Sequence, residues 1–249
     1  DGLVVYPRLA DSRDTTPYEV GTASLSTGIP ALDEAVGDGY WPGSTTLIAG
    51  PSGAGKTIMG LHFLFAGAAV QEPGILITLQ ESRSHLARII GSFGWSMTEP
   101  AVTVMDRSPV DLHIDELVYE ALDRVDETGA RRVVFDSLND LMAAAPDESR
   151  FREFVYSLIQ RLARSGISVM FLLESPDLFR ITRLSEQSMS NVADNVVILQ
   201  HLYDGAELKR GLTVLKTRGS THDHRVRQFD ITSQGITLGA PLDMQTLVR

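Results

Sequence analysis

The stretch that decides the fold is GPSGAGKT at residues 50–57, which fits the pattern G-x-x-x-x-G-K-[S/T] in full. An apolar run, TTLIAG (45–50), precedes it. The run IMGLHFLFAGAAVQ (58–71) follows it and stops before Pro73 and Gly74. A strand, a glycine-rich loop and a helix in this order are the context that the pattern requires. The sequence therefore predicts a phosphate-binding loop that binds a nucleotide.

Each residue type in this loop has a physical reason to be there. Its glycines permit a backbone in which successive N–H groups point at phosphate oxygens, and the N-terminus of the following helix adds a partial positive charge. The lysine is expected to reach the β and γ phosphates, and the threonine hydroxyl to ligate Mg²⁺. The predicted nucleotide-binding residues of the loop are Gly50, Ser52, Gly53, Ala54, Gly55, Lys56 and Thr57.

A second strand ends on an acid. VVFD (133–136) is an apolar run that finishes at Asp136, directly before Ser137. In phosphate-binding-loop proteins an acid in this place holds Mg²⁺, here through water. The alternative role for Asp136 is to cap a following helix. The phosphate-binding loop favours the magnesium role.

The remaining pattern predicts the α/β class with a mixed, mostly parallel sheet. Short aliphatic runs predict strands at 45–50, 74–79, 102–106, 131–136 and 167–173, and helical patterns at 114–125 and 151–166 lie between them. Such alternation is typical of βαβ units, whose helices cover the sheet. After residue 194, the runs VVILQHL, GLTVLKT and RVRQFDI follow one another without a helix-length segment, which predicts antiparallel strands.

Composition narrows the class of protein. The 249 residues are 43% hydrophobic and 22% charged, which is ordinary for one globular domain with a large core. A formal charge of −10 disfavours binding to nucleic acid or anionic lipid. No cysteine occurs, so a reducing cytosol is expected. The longest apolar run, GISVMFLL (166–173), is too short to span a bilayer, and no secretory leader is recognised.

Several motifs together resemble the KaiC branch of the RecA-like ATPases. They are STGIPALDEAVGDGYWPGSTTLIAGPSGAGKT (26–57), TLQES (78–82), SFGW (92–95), VVFDSL (133–138), ADNVVILQ (193–200) and LKTRGSTHD (215–223). The resemblance implies a RecA-like P-loop NTPase core that uses ATP and Mg²⁺. It also implies a hexameric ring of identical subunits, with the nucleotide held between neighbours.

The resemblance assigns further residues to the nucleotide. Phe93 is implied beside the adenine, although an aromatic residue there is as readily part of the core. Lys216 and Arg218 are two residues apart and therefore share one face of a strand, and both are implied to reach the neighbour's ATP. Thr232 and Ser233 stand where the family has Thr-Asp at that same nucleotide, and the serine departs from the family pattern. The full implied set is Ser92, Phe93, Lys216, Thr217, Arg218, Ser220, His222, Thr232 and Ser233.

The end of the strand LITL (76–79) carries the largest departure from the family. The family pattern has two adjacent glutamates there, of which the first activates the attacking group and helps to hold magnesium, whereas this chain has Gln80 and Glu81. A glutamine orients water but accepts no proton at neutral pH, so slow hydrolysis is expected. Neighbouring strand residues point to opposite faces, so Glu81 can replace Gln80 only if the strand has already ended.

Two other stretches bear on a metal site and on a domain boundary. His222 and His224 flank Asp223, but without a third ligand they are weak evidence for a metal site, so Mg²⁺ is the one metal inferred. The opening stretch DGLVVYPRLAD resembles the later QGITLGAPLD. Since KaiC-like proteins carry two such domains in tandem, residues 1–20 are expected to be a tail and linker from a preceding domain, and 21–249 the ATPase domain.

Three functions are compatible with the sequence. The first is an ATP hydrolase in a ring, acting as a signalling timer or switch. The second is a self-phosphorylating Ser/Thr kinase, with Ser190 as an acceptor beside Asn191, where the family pattern has threonine. The third is a nucleotide-gated module that binds other signalling proteins with little turnover. DNA recombination is disfavoured by the net charge of −10.

Overall fold

A nine-stranded mixed sheet forms the centre of the computed structural model, which describes residues 23–110, 112–145, 147–175, 192–204 and 207–242. The strands are β1 (Thr45–Gly50), β2 (Gly74–Thr78), β3 (Val102–Asp106), β4 (Arg132–Asp136), β5 (Ser168–Glu174), β6 (Asn195–Asp204), β7 (Glu207–Thr217), β8 (Arg227–Thr232) and β9 (Gly235–Pro241). The helices are α1 (Pro30–Val36), α2 (Lys56–Ala69), α3 (Arg83–Ser92), α4 (Ile114–Thr128), α5 (Leu138–Ala144) and α6 (Glu148–Arg164).

The strands lie in the order β3-β2-β4-β5-β1-β6-β7-β8-β9. The pairs from β3 to β6 are parallel, and those from β6 to β9 are antiparallel. This confirms the predicted fold class. Because the carboxyl ends of parallel strands meet at one edge, Gly50, Thr78, Asp136 and Glu174 lie along that edge. The edge is called the loop edge below.

Helices cover both faces of the sheet, as expected for buried parallel strands. Every residue of β1 is buried. Its side chains alternate between the two faces: Leu47 and Ala49 join the core cluster that contains α4 and α6, whereas Ile48 joins the cluster that contains α1 and α2. Because its side chains alternate between the faces, β1 contributes to the core on both sides of the sheet.

Three of the six helices in the described ranges match the sequence prediction and three were missed. The run 58–71 corresponds to α2. The patterns at 114–125 and 151–166 correspond to α4 and α6, and α4 ends at Gly129, whose φ of 65° suits glycine. Helices α1 and α5 have seven residues each, so their sequence patterns are short. α3 begins after Ser82, whose side chain accepts a hydrogen bond from the N–H of His85.

None of the helices in the described ranges is long and apolar enough to cross a membrane. Residues 1–22, which include the predicted tail and linker, lie outside the described ranges. Ser190 also lies outside them, within 176–191. The domain boundary and the phosphorylation site therefore stay predictions.

A buried cation ties the first residue of β4 to α2. The Arg132 side chain is 2% exposed and pairs with Glu72 at 2.7 Å. It donates to the backbone oxygens of Ser26 and Phe63, each at 2.8 Å, and its guanidinium lies 4.7 Å from the centre of the Phe63 ring. These contacts replace the water that the charge loses on burial.

We expect Arg132→Met to lower the free energy of unfolding by about 3 kcal/mol, because it removes the ion pair and the donor to the buried Phe63 and part-buried Ser26 carbonyl groups. Urea denaturation followed by circular dichroism measures the change. Arg124→Met is the matched control, since Arg124 pairs with Glu127 at the surface, where such pairs contribute about 0–1 kcal/mol. An equal loss in both variants contradicts the structural role of Arg132.

Candidate nucleotide site

The predicted phosphate-binding loop connects β1 to α2 at the loop edge. Gly53 and Gly55 have φ angles of 73° and 102°, in the left-handed region that favours glycine. At Gly55 a Cβ atom would lie 2.8 Å from Cδ1 of Ile231, so that side chain would have to shift to accommodate it. α2 begins at the next residue, Lys56, and points its N-terminus at the loop. The loop therefore has the backbone form and the helix terminus that bind phosphate.

Lys56 lies inside this loop. Its side chain is buried, and Nζ donates to the backbone oxygens of Gly50 at 3.1 Å and Pro51 at 2.9 Å. Burial lowers the pKa of Lys56, while the charges of Glu174 and Asp136 act in the opposite direction. The ammonium group is thus held within the loop, beside two carboxylates.

Thr57 and Asp136 meet as the sequence predicts for a magnesium site. The Thr57 hydroxyl donates to Oδ2 of Asp136 at 2.6 Å. Burial raises the pKa of Asp136, the Thr57 hydrogen bond acts in the opposite direction, and the charge of Glu81 raises it further. Hydroxyl and carboxylate oxygens are the ligands that Mg²⁺ prefers. The two groups fit a magnesium ion that binds together with a nucleotide.

β2 ends before Gln80 and Glu81, which is the condition under which Glu81 could replace Gln80. The strand ends at Thr78 and the chain then bends, so Gln80 and Glu81 are no longer bound to the alternation of a strand, and both line the same cleft as the loop. Nε2 of Gln80 donates to Oδ1 of Asp140 at 2.8 Å. Glu81 is paired with Nδ1 of His85, one turn further on.

These groups line one cleft with a volume of about 400 Å³, within the usual size range of small-molecule sites. It contains eight of the predicted residues: Ser52, Gly53, Gly55, Lys56, Thr57, Gln80, Glu81 and Asp136. It also contains six that the sequence analysis missed: Ile58, Ile89, Ser137, Glu174, Arg210 and Ile231. The cleft therefore has more charged groups than the motifs alone identify.

One of these missed residues, Arg210, comes from the β6–β7 hairpin, and His201 of the same hairpin also contacts the loop. Nε of Arg210 lies 3.5 Å from the backbone oxygen of Gly53, and Nε2 of His201 lies 3.3 Å from that of Ser52. Arg210 and His201 are cross-strand partners, so both side chains are on one face of the hairpin. Arg210 adds a second cation to the phosphate-binding end of the cleft.

Lys216 and Arg218 lie at the opposite edge of the sheet, because β7 is antiparallel to β6 and runs away from the loop edge. Nζ of Lys216 donates to the backbone oxygen of Ala193 at 2.6 Å, and Nη1 of Arg218 is 3.3 Å from Oδ1 of Asp194. Burial lowers the pKa of Lys216, and the charge of Arg218 lowers it further, so the two cations lie close together. Arg218 also lines a second cavity, of about 310 Å³, with Trp41.

The other residues of that segment have local contacts. The Ser220 hydroxyl donates to the backbone oxygen of Val36 at 2.9 Å, and Thr217 is buried. The rings of His222 and His224 are 4.1 Å apart. The Asp223 carboxylate between them binds Arg225 and Arg227. Within the described ranges, no group of three or more His, Asp or Glu residues could hold a metal ion.

The structure does not bring Thr232 and Ser233 together with Lys216. They form the turn between β8 and β9, which lies at the loop edge, next to Ile231 in the cleft. The Thr232 hydroxyl donates to the backbone oxygen of Gly235 within that turn. Thr232 and Ser233 therefore lie beside the cleft of their own subunit, whereas Lys216 lies at the opposite edge, and their contact with one nucleotide stays a prediction.

Ser92 and Phe93 are not among the residues that line the cleft. The Ser92 hydroxyl donates to the backbone oxygen of Ile89, which does line it. The Phe93 ring packs against Trp95 at 5.1 Å and His62 at 5.5 Å between ring centres. Phe93 is half-buried and lies outside both core clusters, so its predicted place beside the adenine stays a prediction.

Comparison with known proteins adds independent evidence. The family described as "ATPase: KaiC" matches residues 25–243. Circadian clock protein KaiC3 of Synechocystis sp. is 29% identical over 246 residues, which cover 96% of this chain and 48% of that protein. Circadian clock oscillator protein KaiC of Rippkaea orientalis is 28% identical over 242 residues, which cover 96% of this chain and 46% of that protein.

The chain spans about half the length of the curated relatives that it matches. The family match, in contrast, extends over most of the chain and includes the phosphate-binding loop, the strand ends and the antiparallel hairpins described above. A RecA-like α/β core with this loop is therefore what the sequence, the structure and the comparisons have in common, and the chain belongs to the KaiC family of ATPases.

Proposed function

We propose that this chain binds ATP with Mg²⁺ in the 400 Å³ cleft and hydrolyses it slowly at contacts between subunits of a ring, as a timer or switch in signalling. The observation that carries the proposal is the convergence of Lys56, the Thr57–Asp136 pair and Gln80 on one cleft. The names of the relatives, which are circadian clock proteins, support a timing role.

Different cleft residues are assigned different roles in hydrolysis. The loop N–H groups, Lys56 and Arg210 would bind the phosphates, while Thr57 and Asp136 would hold the magnesium. A bound magnesium ion supplies positive charge that offsets the charge developing on the phosphate oxygens. Gln80, oriented by Asp140, would position the attacking water through its side-chain oxygen. Turnover is expected to be slow, because an amide orients water without accepting its proton.

The position of Lys216 and Arg218 supports a site shared between subunits. Arg210 on β7 contacts the loop, and Lys216 is six residues further along the same strand. At about 3.4 Å per residue this separation is about 20 Å, so Lys216 and Arg218 lie too far away to reach the nucleotide of their own subunit. If they act on a nucleotide, it is bound by a neighbouring copy.

Assembly tests the shared site. We expect Mg-ATP to raise the molar mass in solution from 27.2 kDa to a multiple of that value, because a ligand that binds the assembled site better favours assembly. Light scattering coupled to size-exclusion chromatography measures it. Lys56→Ala, which removes the phosphate-binding ammonium, is expected to remain at the lower mass under the same conditions.

Phosphate release from the same samples tests the hydrolysis. Turnover that depends on both magnesium and Lys56 supports the proposal. A monomer that hydrolyses ATP as fast as the assembled form contradicts the shared site. Intact-mass analysis after incubation separates hydrolysis from self-phosphorylation, since a covalently added phosphate would show that hydrolysis alone is wrong.

A further inference from the structure

Three carboxylates line the nucleotide cleft: Glu81, Asp136 and Glu174. Asp136 accepts the Thr57 hydrogen bond, and Glu81 is paired with His85. The Glu174 side chain is exposed to the cleft and has no hydrogen bond or ion pair to any residue in the described ranges. Glu174 is therefore the cleft carboxylate whose oxygens are still open to a water molecule.

The backbone of Glu174 is fixed from two sides. It is the last residue of β5 and is in register with Gly50 at the start of the phosphate-binding loop. The Asn139 side chain accepts from the N–H of Glu174 at 2.7 Å and donates to its backbone oxygen at 3.1 Å. Asn139 lies three residues after Asp136, so this clamp connects the magnesium-binding strand end to Glu174. A carboxylate held in this way has a defined position relative to the loop.

Glu174 lies next to the part of the loop that holds Lys56. Nζ of Lys56 donates to the backbone oxygen of Gly50 at 3.1 Å, and Gly50 is in register with Glu174. Lysine at this position of a phosphate-binding loop reaches the β and γ phosphates. Glu174 therefore lies on the side of the cleft where the terminal phosphate is expected.

We propose that Glu174 is the catalytic residue that accepts the proton of the attacking water, a role that rests on the hydrolysis proposed above. The water oxygen forms a bond to the γ phosphorus while the bond from that phosphorus to the bridging oxygen breaks. ADP leaves with the electron pair of the broken bond. The proton passes to Glu174 and then to solvent. Gln80 orients the water, which an amide can do, and Glu174 takes the proton, which an amide cannot do.

Glu174→Gln tests this role, because it keeps the shape and removes the proton acceptor. We expect kcat to fall about 100-fold, a typical contribution of general-base catalysis. The dissociation constant of a fluorescent ATP analogue with Mg²⁺ should change less than about twofold, since Glu174 is assigned no role in binding the phosphates. Glu127→Gln is the matched control at an exposed position of α4, and it should retain full turnover.

Two further variants cover the case in which Glu174→Gln does not fold. Glu174→Asp keeps a carboxylate and is expected to retain part of the activity. Asn139→Ala releases the backbone clamp, and it should lower kcat while the carboxylate is still present. Wild-type turnover in Glu174→Gln, with normal nucleotide binding, overturns the inference and leaves the proposed function intact. Absence of turnover in the wild type instead overturns the proposed function.

Discussion

Arg218→Ala is expected to reduce ATP turnover about 1000-fold, the lower end of the effect of an arginine supplied to a phosphoryl-transfer site from another subunit. The side chain of Arg218 is 57% exposed, and Asp194 holds it at the edge of the sheet remote from the loop of its own subunit. Asp194 is itself fixed, since Oδ2 accepts from the N–H of Thr45 at 2.9 Å. Arg218 is thus oriented outward before any neighbour binds.

Mixing two inactive variants distinguishes this role from a structural one. A Lys56→Ala subunit keeps Arg218, and an Arg218→Ala subunit keeps Lys56. Lys56→Ala subunits alone stay at the lower mass, but in the mixture the intact loop of an Arg218→Ala subunit binds ATP and can meet the intact arginine of a Lys56→Ala subunit. We expect such contacts to restore part of the phosphate release that each variant lacks alone. If the mixture stays inactive although it assembles, Arg218 does not act across the interface.

The matched control is Arg225→Ala. Arg225 is an exposed arginine seven residues further along, and its guanidinium binds Asp223 of the same subunit. Its removal should change turnover less than about twofold, because surface ion pairs of this kind contribute little. A similar loss in both variants would mean that the segment after β7 matters for folding and carries no specific arginine role.

The sequence predicts those helices and strands whose bounds are set by neighbouring residues in the chain. Strands β1 and β3 begin and end where the apolar runs do, because flanking turn residues delimit them. α1, in contrast, has seven residues and is stabilised by burial of Leu32, Ala35 and Val36. A helix this short forms through tertiary packing, which a local pattern does not reveal.

Within the site, too, the sequence predicted the residues that a local motif identifies and missed those that strand pairing places there. The loop, Thr57 and Asp136 were predicted because one motif and one strand end identify them. Arg210 and His201 were missed, since their place depends on β6 pairing with β1 and on the hairpin that follows. Glu174 had a usable signal: its strand, VMFLLE (169–174), ends on an acid just as VVFD does. Applying the strand-end argument to every parallel strand would have identified it.

Gln80→Glu is expected to raise the rate of ATP hydrolysis by roughly tenfold to ten-thousandfold, because it adds a proton acceptor where the chain has an amide. The structure strengthens this expectation. Gln80 now donates to Oδ1 of Asp140 at 2.8 Å, and Oδ2 of Asp140 accepts from Ser137 at 2.5 Å. A glutamate at position 80 would face the Asp140 carboxylate without a donor between them. Like charges at that distance raise the pKa of one carboxylate and make it a stronger base.

Phosphate-release assays on three companion variants determine which carboxylate accepts the proton. Gln80→Glu with Asp140→Asn removes the like-charge contact, so the gain in rate should shrink if a raised pKa causes it. Gln80→Glu introduced into Glu174→Gln should recover turnover, because one proton acceptor replaces another in the same cleft.

Glu81→Gln should have a small effect, since its carboxylate is already paired with His85. If Glu81→Gln abolishes turnover, Glu81 is the proton acceptor and the role assigned to Glu174 is wrong. If Gln80→Glu leaves the rate unchanged, position 80 does not face the attacking water, and the role assigned to the end of β2 is wrong.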